Sequence, residues 1–204
     1  CAVASLCRLV PAPAGLALFL CVTALWWLVA ALWVTCGSHR GGRYAAGLAG
    51  FAVLVPAAIG LGRLARVQSH GQLLLFFLIV LIAAADVGAY FGGRAFGRHQ
   101  LAPLVSPGKT WEGFFAGMLG ASAAAWAGAS IFGQPLRPWL AVCVLVALVS
   151  VVGDLVESMF KRHVGLKDSG GLLPGHGGVL DRIDSFTAAA PTFLLGLLLI
   201  GAAP

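Results

Sequence analysis

The residues most able to do chemistry in this chain are carboxylates gathered near its C-terminus. Five of the seven acidic residues lie between residues 154 and 184, in a chain that is 60% hydrophobic and only 10% charged. Charges beside apolar segments are costly unless they bind each other, a metal ion or a charged substrate. The stretch therefore indicates a site for ions or charged groups, made of the acids Asp154, Glu157, Asp168, Asp181 and Asp184 and of Lys161, Arg162, Lys167, Arg182, His163 and His176.

The spacing of the aspartates favours a divalent cation. Asp154 lies near the end of one apolar run, while Asp181 and Asp184 lie three apart at the entry to the next, which puts them on one helix face. Mg²⁺ is usually held by one or two carboxylates together with substrate phosphates. The alternative is structural: Asp181 and Asp184 cap a helix and pair with Arg182 and Lys167.

A glycine-rich loop separates these two helix ends and surrounds His176. Glycine lets backbone N–H groups approach an anion closely, but glycine content alone is equally typical of an ordinary flexible loop. The nearby cations favour a phosphate site, since such side chains neutralise phosphate charge. His176 could bind a phosphate oxygen, move a proton or hydrogen-bond the loop, and the sequence does not choose among these roles. The glycines are Gly165, Gly170, Gly171, Gly175, Gly177 and Gly178.

A second group of polar residues lies upstream. Asp86 falls inside an apolar run, where an acid indicates a functional site. The segment Ser106–Gly113 follows it and reads Ser-Pro-Gly-Lys-Thr-Trp-Glu-Gly. In this segment Lys109 either pairs with Glu112 across one turn or binds nucleotide phosphates together with the hydroxyls of Ser106 and Thr110.

Apolar runs must position these residues. A membrane-spanning helix needs about 17 to 25 apolar residues, and six runs qualify. They predict an all-α, polytopic membrane bundle that forms a single domain over residues 1–204. The runs are 13–36, 44–62, 71–91, 113–133, 137–157 and 186–203, of which the second, with Pro56, is the weakest.

The distribution of cations predicts the orientation of the bundle. Six spans put nine of the 13 Lys and Arg residues on the side that carries the carboxylate stretch and four on the other. Cytoplasmic loops of membrane proteins carry the excess of positive charge, so the stretch is expected to face the cytoplasm. The cations fall in short connections and form no basic stripe, which argues against a nucleic-acid partner.

At this point the residues resemble a known family. The run from Ser158 to Asp184, with its fixed spacing of Lys, Asp, His, Gly and Arg, closely resembles the signature of the phosphatidate cytidylyltransferases, or CDP-diacylglycerol synthases. The upstream segments around Asp86 and Lys109 are also similar, so the likeness covers roughly residues 70–204.

The resemblance implies a dimeric enzyme of the bacterial inner membrane that joins CTP and phosphatidate, with Mg²⁺ and in some members K⁺. It implies metal binding by Asp154 and Asp181, supported by Asp184 and Asp168. Since relatives are usually longer at the N-terminus and this chain begins with Cys1, an N-terminally incomplete chain is expected. The implied catalytic residues also include Lys167, His176 and Arg182, and the implied substrate-binding residues are Asp86, Ser106, Lys109, Ser158, Lys161, Arg162, Gly177 and Gly178.

Two other functions fit parts of the pattern. A CTP-dependent lipid kinase of the polyprenol type would also need carboxylates, a metal and a membrane bundle, but the intact signature argues against it. An ion or solute transporter could use Asp86 and Asp154 as a midplane ion site. The remaining acids lie in one loop region with a phosphate-type glycine loop, which favours the enzyme. Glu157 is expected to pair with Lys161.

Overall fold

The structure is a bundle of membrane-length helices. It is a computed structural model that describes residues 13–36, 43–67, 70–163, 165, 169–170, 178 and 180–202. Within these residues, six helices are long and apolar enough to cross a bilayer, which confirms the prediction of six spans. The chain is therefore an integral membrane protein. The helices are α1 (Pro13–Cys36), α2 (Arg43–Leu64), α3 (Gly71–Phe96), α4 (Trp111–Ile131), α5 (Leu136–His163) and α6 (Leu180–Leu199).

Three helices extend five or six residues beyond the apolar runs, and the first of these, α3, continues to Phe96 rather than ending near residue 91. Helix α5 continues to His163 rather than ending near residue 157, and α6 begins at Leu180 rather than residue 186. The extensions carry charged residues, which a hydropathy criterion excludes, although charged side chains are compatible with helical backbone. As a result Asp154 and Asp184 lie within helices, and Asp181 lies in the first turn of α6.

A short β-hairpin connects α3 to α4 and was not predicted. Strand β1 (Gln100–Ala102) pairs antiparallel with β2 (Ser106–Thr110). The second strand contains Pro107 and Gly108, which are depleted in strands, so propensity gives no signal for it. Val105 at the turn is 3% exposed and packs against Leu155 and Met159 of α5, which holds the hairpin on the bundle.

Glycines on α4 bring it unusually close to α3. A Cβ atom on Gly113 would lie 2.7 Å from the Ala89 carbonyl oxygen, and one on Gly117 would lie 2.7 Å from the Ala85 oxygen. Small residues at helical spacing allow such close backbone approach in membrane bundles. These glycines thus pack α4 against α3, the helix that carries Asp86.

Helix α6 lies at the centre of the bundle and contacts α1, α2, α3 and α5. Phe193 and Leu197 on α6 are fully buried, as is Trp139 of α5. A Cβ atom on Gly153 of α5 would lie 3.0 Å from both the Ala188 Cβ and the Asp184 carbonyl oxygen. This close approach of α5 and α6 brings Asp154 and Asp184 into the same region.

Candidate active site

Asp154 forms an ion pair with a lysine that is distant from it in the sequence. Lys109 on β2 donates from Nζ to Asp154 Oδ2 over 2.6 Å, and Ser158 Oγ donates to Asp154 Oδ1 over 3.3 Å. The side chains of Lys109 and Asp154 are 27% and 29% exposed, so the ion pair is accessible to a ligand. Lys109 pairs with Asp154, so the structural alternative in which it pairs with Glu112 is wrong.

Beneath the hairpin lies a cavity of about 300 Å³, called here the hairpin cavity. Asp86 of α3 lines this cavity together with Lys109, and the Asp86 carboxylate interacts electrostatically with Asp154, Lys109 and Asp184. The predicted upstream and downstream groups therefore meet in space. Other residues that line the cavity include Tyr90, Gly93, Arg94, Thr110, Gly113 and Phe114.

Asp181 organises the junction between α5 and α6. Its Oδ1 accepts a hydrogen bond from Lys161 Nζ over 2.7 Å, and its Oδ2 accepts from the backbone N–H groups of Gly178 at 2.7 Å and Ser169 at 2.9 Å. Among the described residues Asp181 forms an ion pair with Lys161, and the alternative pairing with Lys167 lies outside those residues. Gly178 is buried, and a Cβ atom there would lie 2.9 Å from the Gly170 nitrogen.

A second, largely apolar cavity of about 330 Å³ opens beside this junction and is called here the seam cavity. Glu157, Lys161 and Asp184 form its charged end. Lys161 Nζ lies 3.5 Å from Glu157 Oε2, which confirms the expected ion pair. Glu157 is 8% exposed, and neither of its carboxylate oxygens accepts a hydrogen bond from the residues that the structure describes. Apolar lining residues include Trp27, Val53, Leu54, Val156, Phe160 and Leu180.

The carboxylates suit a hard cation without forming a complete cage. Asp154 and Asp184 interact electrostatically with one another, and Asp184 also lies close to Glu157. Among the described residues no group of three or more acidic, His or Cys side chains is arranged to hold a metal ion. Two carboxylates supplemented by substrate phosphates are nonetheless an ordinary Mg²⁺ environment. Asp181 would have to release Lys161 or a backbone N–H to act as a ligand.

The remaining predicted site residues divide into two groups. Arg162 lies exposed at the end of α5, Arg182 lies exposed in the first turn of α6, and Ser106 begins β2 outside the lining of the hairpin cavity. Four predicted residues lie outside the residues that the structure describes, and their roles stay predictions: Lys167, Asp168, His176 and Gly177.

Sequence reasoning missed two residues of the hairpin cavity. Arg94 Nη1 donates to the Tyr90 hydroxyl over 3.0 Å, and both side chains line the cavity. Tyr90 and Arg94 follow Asp86 at successive intervals of four residues on α3, and this spacing, which puts all three on one face, was the available signal. These residues add a guanidinium and a phenol to a cavity that already holds an acid and a lysine.

Comparison with known proteins identifies the family. Residues 3–200 match the cytidylyltransferase family. The chain is 47% identical over 155 residues to the phosphatidate cytidylyltransferase of Haemophilus influenzae, covering 70% of this chain and 54% of that protein. It is 45% identical over 190 residues to that of Pseudomonas aeruginosa, covering 90% and 69%, and 41% identical over 156 residues to that of Staphylococcus epidermidis, covering 74% and 59%. The chain thus spans about half to two thirds of these relatives and belongs to the cytidylyltransferase family.

Proposed function

We propose that the full-length protein containing this chain transfers the cytidylyl group of CTP to phosphatidate, giving CDP-diacylglycerol and pyrophosphate. A phosphate oxygen of phosphatidate attacks the α-phosphorus of CTP, and the bond from that phosphorus to the oxygen bridging it to the β-phosphate breaks. Pyrophosphate leaves with the electron pair of that bond. Three relatives at 41–47% identity are named for this activity.

The observation that carries the proposal is the pairing of two lysines with two of the proposed metal-binding carboxylates. Lys109 pairs with Asp154, and Lys161 pairs with Asp181, where the hairpin and the adjoining ends of α5 and α6 meet. The attacking phosphate is already anionic, so the reaction needs charge stabilisation more than a strong base. Lysine ammonium groups beside a cavity supply such stabilisation to phosphate oxygens.

The proposal includes Mg²⁺, with a second cation such as K⁺. Asp154, Asp181 and Asp184 are the proposed ligands, and the electrostatic interaction between Asp154 and Asp184 supports them. When bound, Mg²⁺ neutralises charge on the triphosphate and the leaving pyrophosphate. In the same proposal, Lys167, Arg182 and the backbone N–H groups of the glycine loop bind the phosphates. Asp168 supports the metal-binding carboxylates, and His176 is a further catalytic residue.

The lipid substrate is proposed to approach through the seam cavity. Lys161 lies at the charged end of this cavity, and Trp27, Val53 and Leu54 contribute to its apolar lining. A phosphatidate headgroup combines an anionic phosphate with two apolar tails, so it needs a cation next to apolar surface. Lys161 and Arg162 are the proposed headgroup contacts on this side.

We also propose that the site faces the cytoplasm of a bacterial inner membrane and that the protein is a homodimer. The excess of cations on the side of the hairpin supports the orientation, while the homodimer rests on family resemblance. Cysteines introduced at exposed Leu104 and Arg137, which lie on opposite sides, report the orientation in a cysteine-free background. Reaction of Arg137→Cys alone with an impermeant thiol reagent in intact cells supports the proposal, and reaction of Leu104→Cys alone contradicts it.

The activity is tested by release of pyrophosphate from the purified full-length protein in lipid vesicles. Release should require CTP, phosphatidate and Mg²⁺ together, and an Asp154→Asn variant should be inactive in the same assay. Release from CTP without phosphatidate, at the same rate, would show simple nucleotide hydrolysis and remove phosphatidate from the proposal.

A further inference from the structure

The hairpin that carries Lys109 is fastened at its base by Glu112, the second residue of α4. Glu112 Oε2 accepts hydrogen bonds from the backbone N–H groups of Arg98 at 3.1 Å and His99 at 3.3 Å. The His99 ring Nδ1 hydrogen-bonds to Glu112 Oε1 over 2.6 Å. We call these three contacts the hairpin clasp.

A backbone hydrogen bond reinforces the hairpin clasp. Trp111 donates its N–H to the His99 carbonyl oxygen over 2.9 Å, so His99 and the first two residues of α4 are joined through three groups of His99. Strand pairing of Gln100 with Thr110 begins directly beyond the clasp. The clasp therefore fixes where β1 and β2 leave the bundle.

The position of Lys109 depends on that exit point. Lys109 lies three residues before Glu112 on β2, and its Nζ reaches Asp154 on α5. The far end of the hairpin is held separately by Val105, which packs against α5. Lys109 lies three residues from Glu112 and four from Val105, so the clasp and the Val105 contact together hold the strand segment that carries it.

Glu112 does not line the hairpin cavity, and His99 is 77% exposed. A substrate in that cavity would touch Lys109 but neither clasp residue. We infer that Glu112, with His99, is a positioning residue that holds the Lys109 ammonium at Asp154 for use in the cavity. Only the predicted effect on turnover rests on the proposed function, because the position of Lys109 is measured by its reactivity, which does not require enzyme activity.

The first test measures the chemical reactivity of Lys109 in the full-length protein. An amine-reactive reagent modifies Lys109, and mass spectrometry follows the rate in wild type, Glu112→Ala, Glu112→Gln and His99→Ala. We expect at least about threefold faster modification in Glu112→Ala, because a lysine that is no longer held against a carboxylate is more accessible to the reagent. Glu112→Gln keeps an acceptor for the backbone N–H groups and should restore most of the protection.

The matched control is Gln134→Ala, at the opposite end of α4. Gln134 donates from its side chain to the Phe132 carbonyl oxygen, so the variant also removes one turn hydrogen bond, but far from the hairpin. It should leave Lys109 reactivity unchanged. If His99→Ala and Glu112→Ala both leave the reactivity of Lys109 at the wild-type rate, the inference is wrong; His99 is exposed, so its variant is expected to fold.

The second test is a double-mutant cycle on turnover. Glu112→Ala should lower kcat/KM by about tenfold, the effect expected from losing charge-assisted hydrogen bonds, and should have less than about a twofold effect when Lys109 is already Ala. Equal losses in both backgrounds would show a general structural role and overturn the inference. An inactive wild type would instead overturn the proposed function, while the reactivity of Lys109 would still test the clasp.

Discussion

The Lys109 Nζ atom lies 2.6 Å from Asp154 Oδ2, which joins two residues 45 positions apart in the sequence. The pair ties the hairpin to α5 and brings the upstream segment next to the signature. Both side chains are more than a quarter exposed, and exposed ion pairs contribute only about 0–1 kcal/mol to stability. The pair is therefore better explained by a role in the site than by a role in holding the fold together.

Replacing Lys109 by Ala should abolish most turnover while leaving the fold intact. Loss of one group that stabilises developing charge typically lowers kcat by about 10²- to 10³-fold, whereas the stability cost should stay below about 1 kcal/mol. Steady-state kinetics and thermal unfolding in detergent measure the two effects. Arg66→Ala, which removes an exposed cation on the other side of the membrane, is the control; near-normal turnover in Lys109→Ala would rule out its role.

Mn²⁺ serves as the spectroscopic probe of the proposed Mg²⁺ site, and its binding should be weaker in Asp154→Asn than in wild type. Because the variant removes a proposed ligand, affinity should fall by at least about tenfold, the lower range seen even for outer-shell changes. Electron paramagnetic resonance of free Mn²⁺ gives the affinity without requiring activity. Ser122→Ala removes only a hydrogen bond to the Met118 carbonyl oxygen within α4, lines neither of the two cavities and is the control. Unchanged binding in Asp154→Asn would exclude this residue as a ligand.

The sequence predicted local features well and distant contacts poorly. Hydropathy located all six spans because a membrane helix needs a long apolar run, and the i,i+4 spacing identified the Glu157–Lys161 pair. The Lys109–Asp154 contact depends on a hairpin whose strands contain few β-forming residues and include Pro107 and Gly108, so no local pattern indicates it. Spacing likewise placed Asp181 near Asp184 but could not show that Asp181 binds Lys161.

Asp181→Ala should loosen the junction between α5 and α6. The carboxylate accepts backbone N–H groups from Ser169 and Gly178 as well as Lys161, and losing such acceptors costs about 1–3 kcal/mol. Hydrogen exchange of peptides that contain these N–H groups should accelerate, and the melting temperature should fall. Exposed Ile183→Ala, two residues along α6, serves as control. Exchange at the wild-type rate in Asp181→Ala would show that the carboxylate does not hold the junction.

Gly117→Ala should weaken the packing of α3 against α4. The new Cβ atom would lie 2.7 Å from the Ala85 carbonyl oxygen, so the helices must separate, at a cost of about 1–3 kcal/mol. Gly47→Ala is the matched control, because no atom lies within 4 Å of a Cβ there. Thermal unfolding in detergent should show a lower midpoint for Gly117→Ala alone; equal midpoints for the two variants would contradict the close packing.

The most direct test of the proposed activity follows the label of CTP into lipid. Full-length protein is incubated with phosphatidate, Mg²⁺ and CTP labelled either in the α-phosphate or in the γ-phosphate, and the lipid fraction is extracted. Cytidylyl transfer predicts label in lipid from the α-phosphate only, with the γ-label released in pyrophosphate. Lipid labelled from the γ-phosphate instead, or from neither position, would contradict the account.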